Sequence, residues 1–127
     1  MRINHIALYT DNLERMKKFY ETYFNAKANQ VYLNKTTGLK TYFLSFEDST
    51  RLEIMTRPNL VQQSDSPLNT GYIHLAFSVG SKEQVDRLTT ILEKNGFTVL
   101  SYPRTTGDGY YESCVQDPDG NQIEIVE

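Results

Sequence analysis

Two phrases of this chain, 69 residues apart, say nearly the same thing. Ile3-Asn4-His5-Ile6-Ala7-Leu8 and Tyr72-Ile73-His74-Leu75-Ala76-Phe77 align histidine on histidine, Ile6 on Leu75, Ala7 on Ala76 and Leu8 on Phe77. Each reads as a strand of period 2, with the histidine on the face opposite an apolar row. A second pair of phrases repeats 71 residues apart. Asp48-Ser49-Thr50-Arg51-Leu52-Glu53-Ile54 matches Asp119-Gly120-Asn121-Gln122-Ile123-Glu124-Ile125. Two motifs recurring at a near-constant offset point to an internal duplication, so the fold must be two copies of one small unit.

The elements between these phrases agree. Strand 2–9 leads to a helix whose start reads as a capping box of Asp11 and Glu14, with Leu13, Met16, Tyr20 and Tyr23 on one face and Phe19 and Phe24 widening it. Asn25 is the expected stop. Strands are expected at 26–32, 41–46 and 51–56, the first two separated by the turn 34–38. The second copy runs strand 72–79, a helix capped by Ser81 with Gln84 and faced by Val85, Leu88 and Leu92, and an exit at Asn95-Gly96. Strands 97–102, 110–116 and 122–126 follow. The stretch 58–71 reads as a linker, with Pro58, Pro67, Asn69 and Gly71. The fold class is therefore α+β: two βαβββ modules, residues 1–57 and 72–127, forming a curved half-barrel sheet with the helices on its convex side.

At 127 residues the chain is expected to be a single domain, 1–127, with room for a real core. Its net charge of −3 carries no basic stripe, which excludes nucleic acid as the expected partner. The one cysteine, Cys114, rules out an internal disulfide. No apolar run approaches a membrane span and no leader pattern precedes the first strand, so a cytoplasmic location and no membrane partner are expected.

Each module thus contributes a histidine from its first strand and a glutamate from its last. If Ile6, Leu8, Leu52, Ile54, Leu75, Phe77, Ile123 and Ile125 pack under the helices, then His5, Glu53, His74 and Glu124 face the concave side. Gathering two carboxylates away from water is costly without a cation. Two nitrogen and two oxygen donors with room for water suit a borderline metal such as Ni, Co, Zn or Mn. The competing reading is a duplicated polar trough that binds a ligand without metal.

These phrases, with the helix stretch Met16-Lys17-Lys18-Phe19-Tyr20 and the ending Asp117-Pro118-Asp119-Gly120-Asn121-Gln122-Ile123-Glu124-Ile125, resemble the vicinal-oxygen-chelate superfamily, the glyoxalase and bleomycin-resistance fold, over essentially the whole length. The order His, Glu, His, Glu is similar to bacterial glyoxalase I (lactoylglutathione lyase). That resemblance implies one divalent metal held by His5, Glu53, His74 and Glu124, with Ni or Co favoured and Zn, Mn or Fe as alternatives. It implies a small-molecule substrate, a homodimer, and a thiol cosubstrate such as glutathione or another low-molecular-weight thiol. The implied reaction converts the hemithioacetal of a 2-oxoaldehyde to a 2-hydroxyacyl thioester, with Glu124 as the proton-transferring base, Glu53 as its counterpart, and a metal-held enediolate.

Where glutathione-dependent relatives carry an arginine and an asparagine for the thiol's ends, this chain carries Tyr9 and Arg57. Phe43, Arg104 and Tyr110 complete the expected substrate contacts, and the glycine-rich stretch 104–111 is expected to move over the substrate. Other chemistries of the fold stay open: thiol transfer to a fosfomycin-like antibiotic, extradiol dioxygenation on Fe(II), epimerisation beside a thioester, or drug binding without metal.

Overall fold

Leu52 and Ile54, and 71 residues later Ile123 and Ile125, sit at the bottom of two separate sheets with next to no solvent exposure. The computed structural model describes residues 3–61 and 70–127. Much of the expected linker 58–71 lies outside the described residues. The elements run β1 (Ile6–Tyr9), α1 (Leu13–Tyr23), β2 (Lys27–Ala28), β3 (Tyr32–Leu33), β4 (Lys40–Ser45), β5 (Arg51–Thr56), β6 (His74–Ser78), α2 (Lys82–Lys94), β7 (Val99–Thr105), β8 (Tyr111–Gln116) and β9 (Gln122–Val126). They fall into two units, residues 1–65 and 66–127.

In the first unit the strand order is β1-β5-β4-β2, with β3 also on β4. β1 runs parallel to β5, with Ala7 opposite Glu53, and β4 runs antiparallel to β5, with Phe43 opposite Glu53. The second unit repeats the plan as β6-β9-β8-β7. There β6 runs parallel to β9, with Ala76 opposite Glu124, and β8 runs antiparallel, with Cys114 opposite Glu124. Each unit is a mixed α+β layer in which one helix covers one face of one sheet.

The helices start for local reasons. Asn12 caps α1, its Oδ1 accepting from the Arg15 amide at 3.0 Å. The expected capping box at Asp11 is therefore displaced by one residue. Asp11 instead pairs with Arg15 one turn on, at 3.0 Å. Glu14 turns to the sheet, taking the Tyr42 hydroxyl at 2.7 Å and the Lys17 ammonium at 2.6 Å. Lys17, then Tyr42, hold the Glu14 carboxyl below its ordinary range, while that carboxylate pushes the Tyr42 hydroxyl up. Leu13, Met16, Phe19 and Tyr20 form the buried stripe. Ser81 caps α2 as expected, accepting from the Gln84 amide at 3.3 Å, and Gly96 leaves the helix at φ +86°. Val85, Thr89 and Leu92 are its buried face.

Two expectations are corrected. First, residues 26–32 are not one strand. Asn29 breaks the run by using its own amide oxygen to accept the Phe43 backbone N–H at 2.8 Å, which leaves only the short β2 and β3. Second, the apolar rows of the two outer strands are not packed under the helices. Ile6 is 38% exposed while its neighbour in register, Leu52, is 2% exposed. Leu8, Leu75 and Phe77 are half-buried. The cause is topological: α1 lies over β4 and β5, and α2 over β7, β8 and β9. The connection between β7 and β8, residues 104–111, is a hairpin. Arg104 and Thr105 still pair with Glu112 and Tyr111, and the Thr106 amide closes the turn on the Tyr110 carbonyl at 2.8 Å.

Candidate functional site

On each sheet the face away from the helix carries one imidazole and one carboxylate. His5 stands immediately before β1, and its Nε2 lies 3.5 Å from Glu53 Oε2. His74 opens β6, and its Nε2 lies 3.2 Å from Glu124 Oε2. The reason is register. In a parallel pair, residues facing each other across the ladder point to the same side. Ala7 opposite Glu53 and Ala76 opposite Glu124 therefore set each glutamate beside the histidine two positions earlier on the edge strand. The small alanines leave the space that the longer side chains close. Glu53 and Glu124 are half-buried, while His5 and His74 are exposed.

The structure thus brings the four expected ligands together pairwise, one pair within each unit. Among the described residues no further His, Cys, Asp or Glu joins a pair to make a set of three. The donor set fits a divalent metal. Two ligands bound at about 2.1 Å to one cation lie about 3.0 Å apart at a right angle and about 3.4 Å apart at the tetrahedral angle. The observed 3.2 Å falls within that range and 3.5 Å lies just above it.

The surroundings of the two pairs differ. His5 packs edge-on against the Phe43 ring, with centroids 5.3 Å apart. Arg51 covers the same ring, its guanidinium carbon 4.9 Å from the centroid. His5 Nδ1 meets the Asn4 side-chain oxygen at 2.9 Å, and Arg51 donates to that same oxygen. In the second unit Cys114 stands where Phe43 stands in the first, opposite the glutamate. Its thiol touches Gln122 at 3.9 Å. Burial, then the charges of Glu124 and Glu112, push that thiol up, which disfavours the thiolate.

Of the residues expected around the substrate, Phe43 is the one already described against His5. Tyr9 is exposed on β1, two residues beyond Ala7 on the His5 side. Arg57 is exposed just past the end of β5. Arg104 lies on β7, donating from Nε to Ser101 Oγ at 3.1 Å. Tyr110 is exposed in the hairpin turn. Asn4 had no signal in the periodicity, because neighbours along a strand point to opposite faces. It reaches His5 only because the paired strand begins at Ile6.

The chain matches the Glyoxalase family, described as the Glyoxalase/Bleomycin resistance protein/Dioxygenase superfamily, over residues 2–125. It is 29% identical to the uncharacterized protein YqjT of Bacillus subtilis (strain 168), over 98% of this chain and 97% of that protein. The crystal structure of a glyoxalase family protein from Enterococcus faecalis superposes with a TM-score of 0.82 at 24% identity, covering 99% of this chain and 97% of that one. Glyoxalase I from Zea mays superposes with a TM-score of 0.81 at 21% identity, covering 98% of this chain and 44% of that one. At these identities the structural likenesses speak for the fold.

Proposed function

The chain belongs to the Glyoxalase/Bleomycin resistance protein/Dioxygenase superfamily, and on that premise we propose that it is a metal-dependent lyase of the glyoxalase I type. The observation that carries the reading is the spacing of the two His–Glu pairs, 3.5 and 3.2 Å, each suited to two neighbouring positions of one coordination shell. His5, Glu53, His74 and Glu124 would together hold one divalent ion, with nickel or cobalt favoured and zinc, manganese or iron as alternatives. When bound, the ion supplies Lewis-acid stabilisation of the charge that builds on two adjacent substrate oxygens.

The protein's own groups do the rest. The substrate is the hemithioacetal of a 2-oxoaldehyde with glutathione or another small thiol. Glu124 takes the proton from the carbon bearing sulfur and hydroxyl and returns it to the neighbouring carbon, which yields a 2-hydroxyacyl thioester. Two features favour Glu124 over Glu53 as the base. Its neighbour in register is the small Cys114, which leaves room for a reacting carbon, whereas Phe43 fills the matching place beside Glu53. Phe43 also packs on His5, which ties the first pair to a holding role. Tyr9, Arg57, Arg104 and Tyr110 are proposed to meet the thiol-bearing tail. The half-exposed apolar row of β1 and β6 supports a second copy of the chain as partner, in a homodimer. Among the described residues no helix is long and apolar enough to cross a membrane, and a cytoplasmic site of action is proposed.

The test is isomerisation of methylglyoxal hemithioacetals across several thiols and metals. Glu124→Gln should still bind metal while its rate falls by about 10²–10⁴-fold, the usual worth of a positioned general base. Metal-loaded wild type that turns over no thiol adduct, or a Glu124→Gln variant of full activity, would contradict the proposal.

A further inference from the structure

His5 and His74 occupy equivalent places in the duplication, yet only one of them is tied at both ring nitrogens by the contacts described above. Arg51 can only donate, so the Asn4 atom it meets must be the carbonyl oxygen, and this settles which way the amide is turned. His5 Nδ1 meets that same oxygen at 2.9 Å and must therefore be the protonated nitrogen. In the neutral ring Nε2 is then left with a bare lone pair, 3.5 Å from the Glu53 carboxylate. A lone pair facing an anion is repulsive, and a cation between them removes the conflict. At the equivalent place in the second unit the residue before His74 is Ile73, whose side chain has no acceptor to offer.

We propose that Asn4, oriented by Arg51, is a positioning residue that fixes His5 as the Nδ1–H tautomer and so presents Nε2 to the metal. The inference rests on the reading of His5 as a ligand and adds to it an outer partner of the kind that tunes metal sites. It also makes the halves unequal: His5 is pre-set for the ion, while His74 must select its tautomer when the ion binds. Arg51, stacked on Phe43 against which His5 also packs, holds amide and ring in one cluster.

The experiment is imidazole-nitrogen NMR on the metal-free protein, at a pH where both rings are neutral, followed by calorimetric titration with zinc. Wild type should show Nδ1–H at His5. Asn4→Ala should shift His5 to Nε2–H, leave His74 unchanged, and weaken zinc binding by about ten- to a hundredfold. Asn4→Asp keeps an acceptor and should restore both the tautomer and the affinity. Arg51→Met, which frees the amide to turn, should give a mixture of tautomers. An Nε2–H His5 in wild type, or Asn4→Ala binding zinc as tightly as wild type, would overturn the proposal. A wild-type protein that takes up no zinc while His5 keeps Nδ1–H would instead overturn the reading of the site itself. The tautomer is measured without metal, so the two failures are told apart.

Discussion

Thr89 on α2 and Ser113 on β8 make a hydroxyl contact at 2.6 Å inside the second unit, with exposures of 2% and 0%. Thr89 Oγ1 also donates to the Val85 carbonyl at 2.7 Å, so its hydrogen is committed and Ser113 must be the donor between them. The direction of that chain sets the cost of breaking it. Thr89→Val leaves the buried Ser113 O–H with no acceptor and should cost about 1–3 kcal/mol. Ser113→Ala removes the donor, strands no hydrogen, and should cost about 0.5–1.5 kcal/mol. The double variant removes both polar groups and should cost less than the two singles added together, with a coupling of about 1 kcal/mol. Urea denaturation of the four proteins, followed by circular dichroism, reads all three values. Costs that add to within about 0.3 kcal/mol would mean the hydroxyls are independent and would refute the reasoning. The pair bears on the site because β8 also carries Cys114, the residue beside Glu124.

Two further predictions follow from buried or bridging groups. Asp117, nearly enclosed, accepts from the Asp119 and Asn121 amides at 2.9 Å each and from Asn121 Nδ2 at 2.8 Å, yet burial outweighs these and pushes its carboxyl up. Its folded state binds the proton more tightly than its unfolded state, so its contribution to stability is largest in acid and declines as pH rises through the raised value. Relative to Asp117→Asn, wild-type stability should therefore fall across the carboxylate range, and a rise over that range would contradict the assignment. Asn29→Ala removes the acceptor of the Phe43 amide and should cost about 1 kcal/mol in denaturant titration, given that the bond is a neutral one at the sheet edge. No loss at all would show that water replaces the amide oxygen there.

How much of this was legible beforehand follows the physics of each element. β5 and β9 lie where the alternation puts them, because one face of each is fully buried and a shift of one residue would turn every side chain over. The α2 cap and exit were legible because Ser81 and Gly96 act on their own backbone. The face shared by His5 and Glu53, and that shared by His74 and Glu124, were legible for the same reason as β5 and β9. The exposure of Ile6 was not, because periodicity tells which way a side chain points and not whether a helix lies above it. The break at Asn29 was missed because a side-chain amide replaced a backbone partner, which no apolar pattern records. The Asn4–Arg51 contact joins residues 47 apart in the chain and depends on where the β1 ladder begins.

The central claim is that the two His–Glu pairs share one cation, and metal titration of wild type beside His5→Ala, Glu53→Gln, His74→Ala and Glu124→Gln tests it most directly. One ion per chain, with affinity weakened by every one of the four substitutions, is the predicted result. Two ions per chain, no ion, or a binding site indifferent to the substitutions in either pair would contradict it.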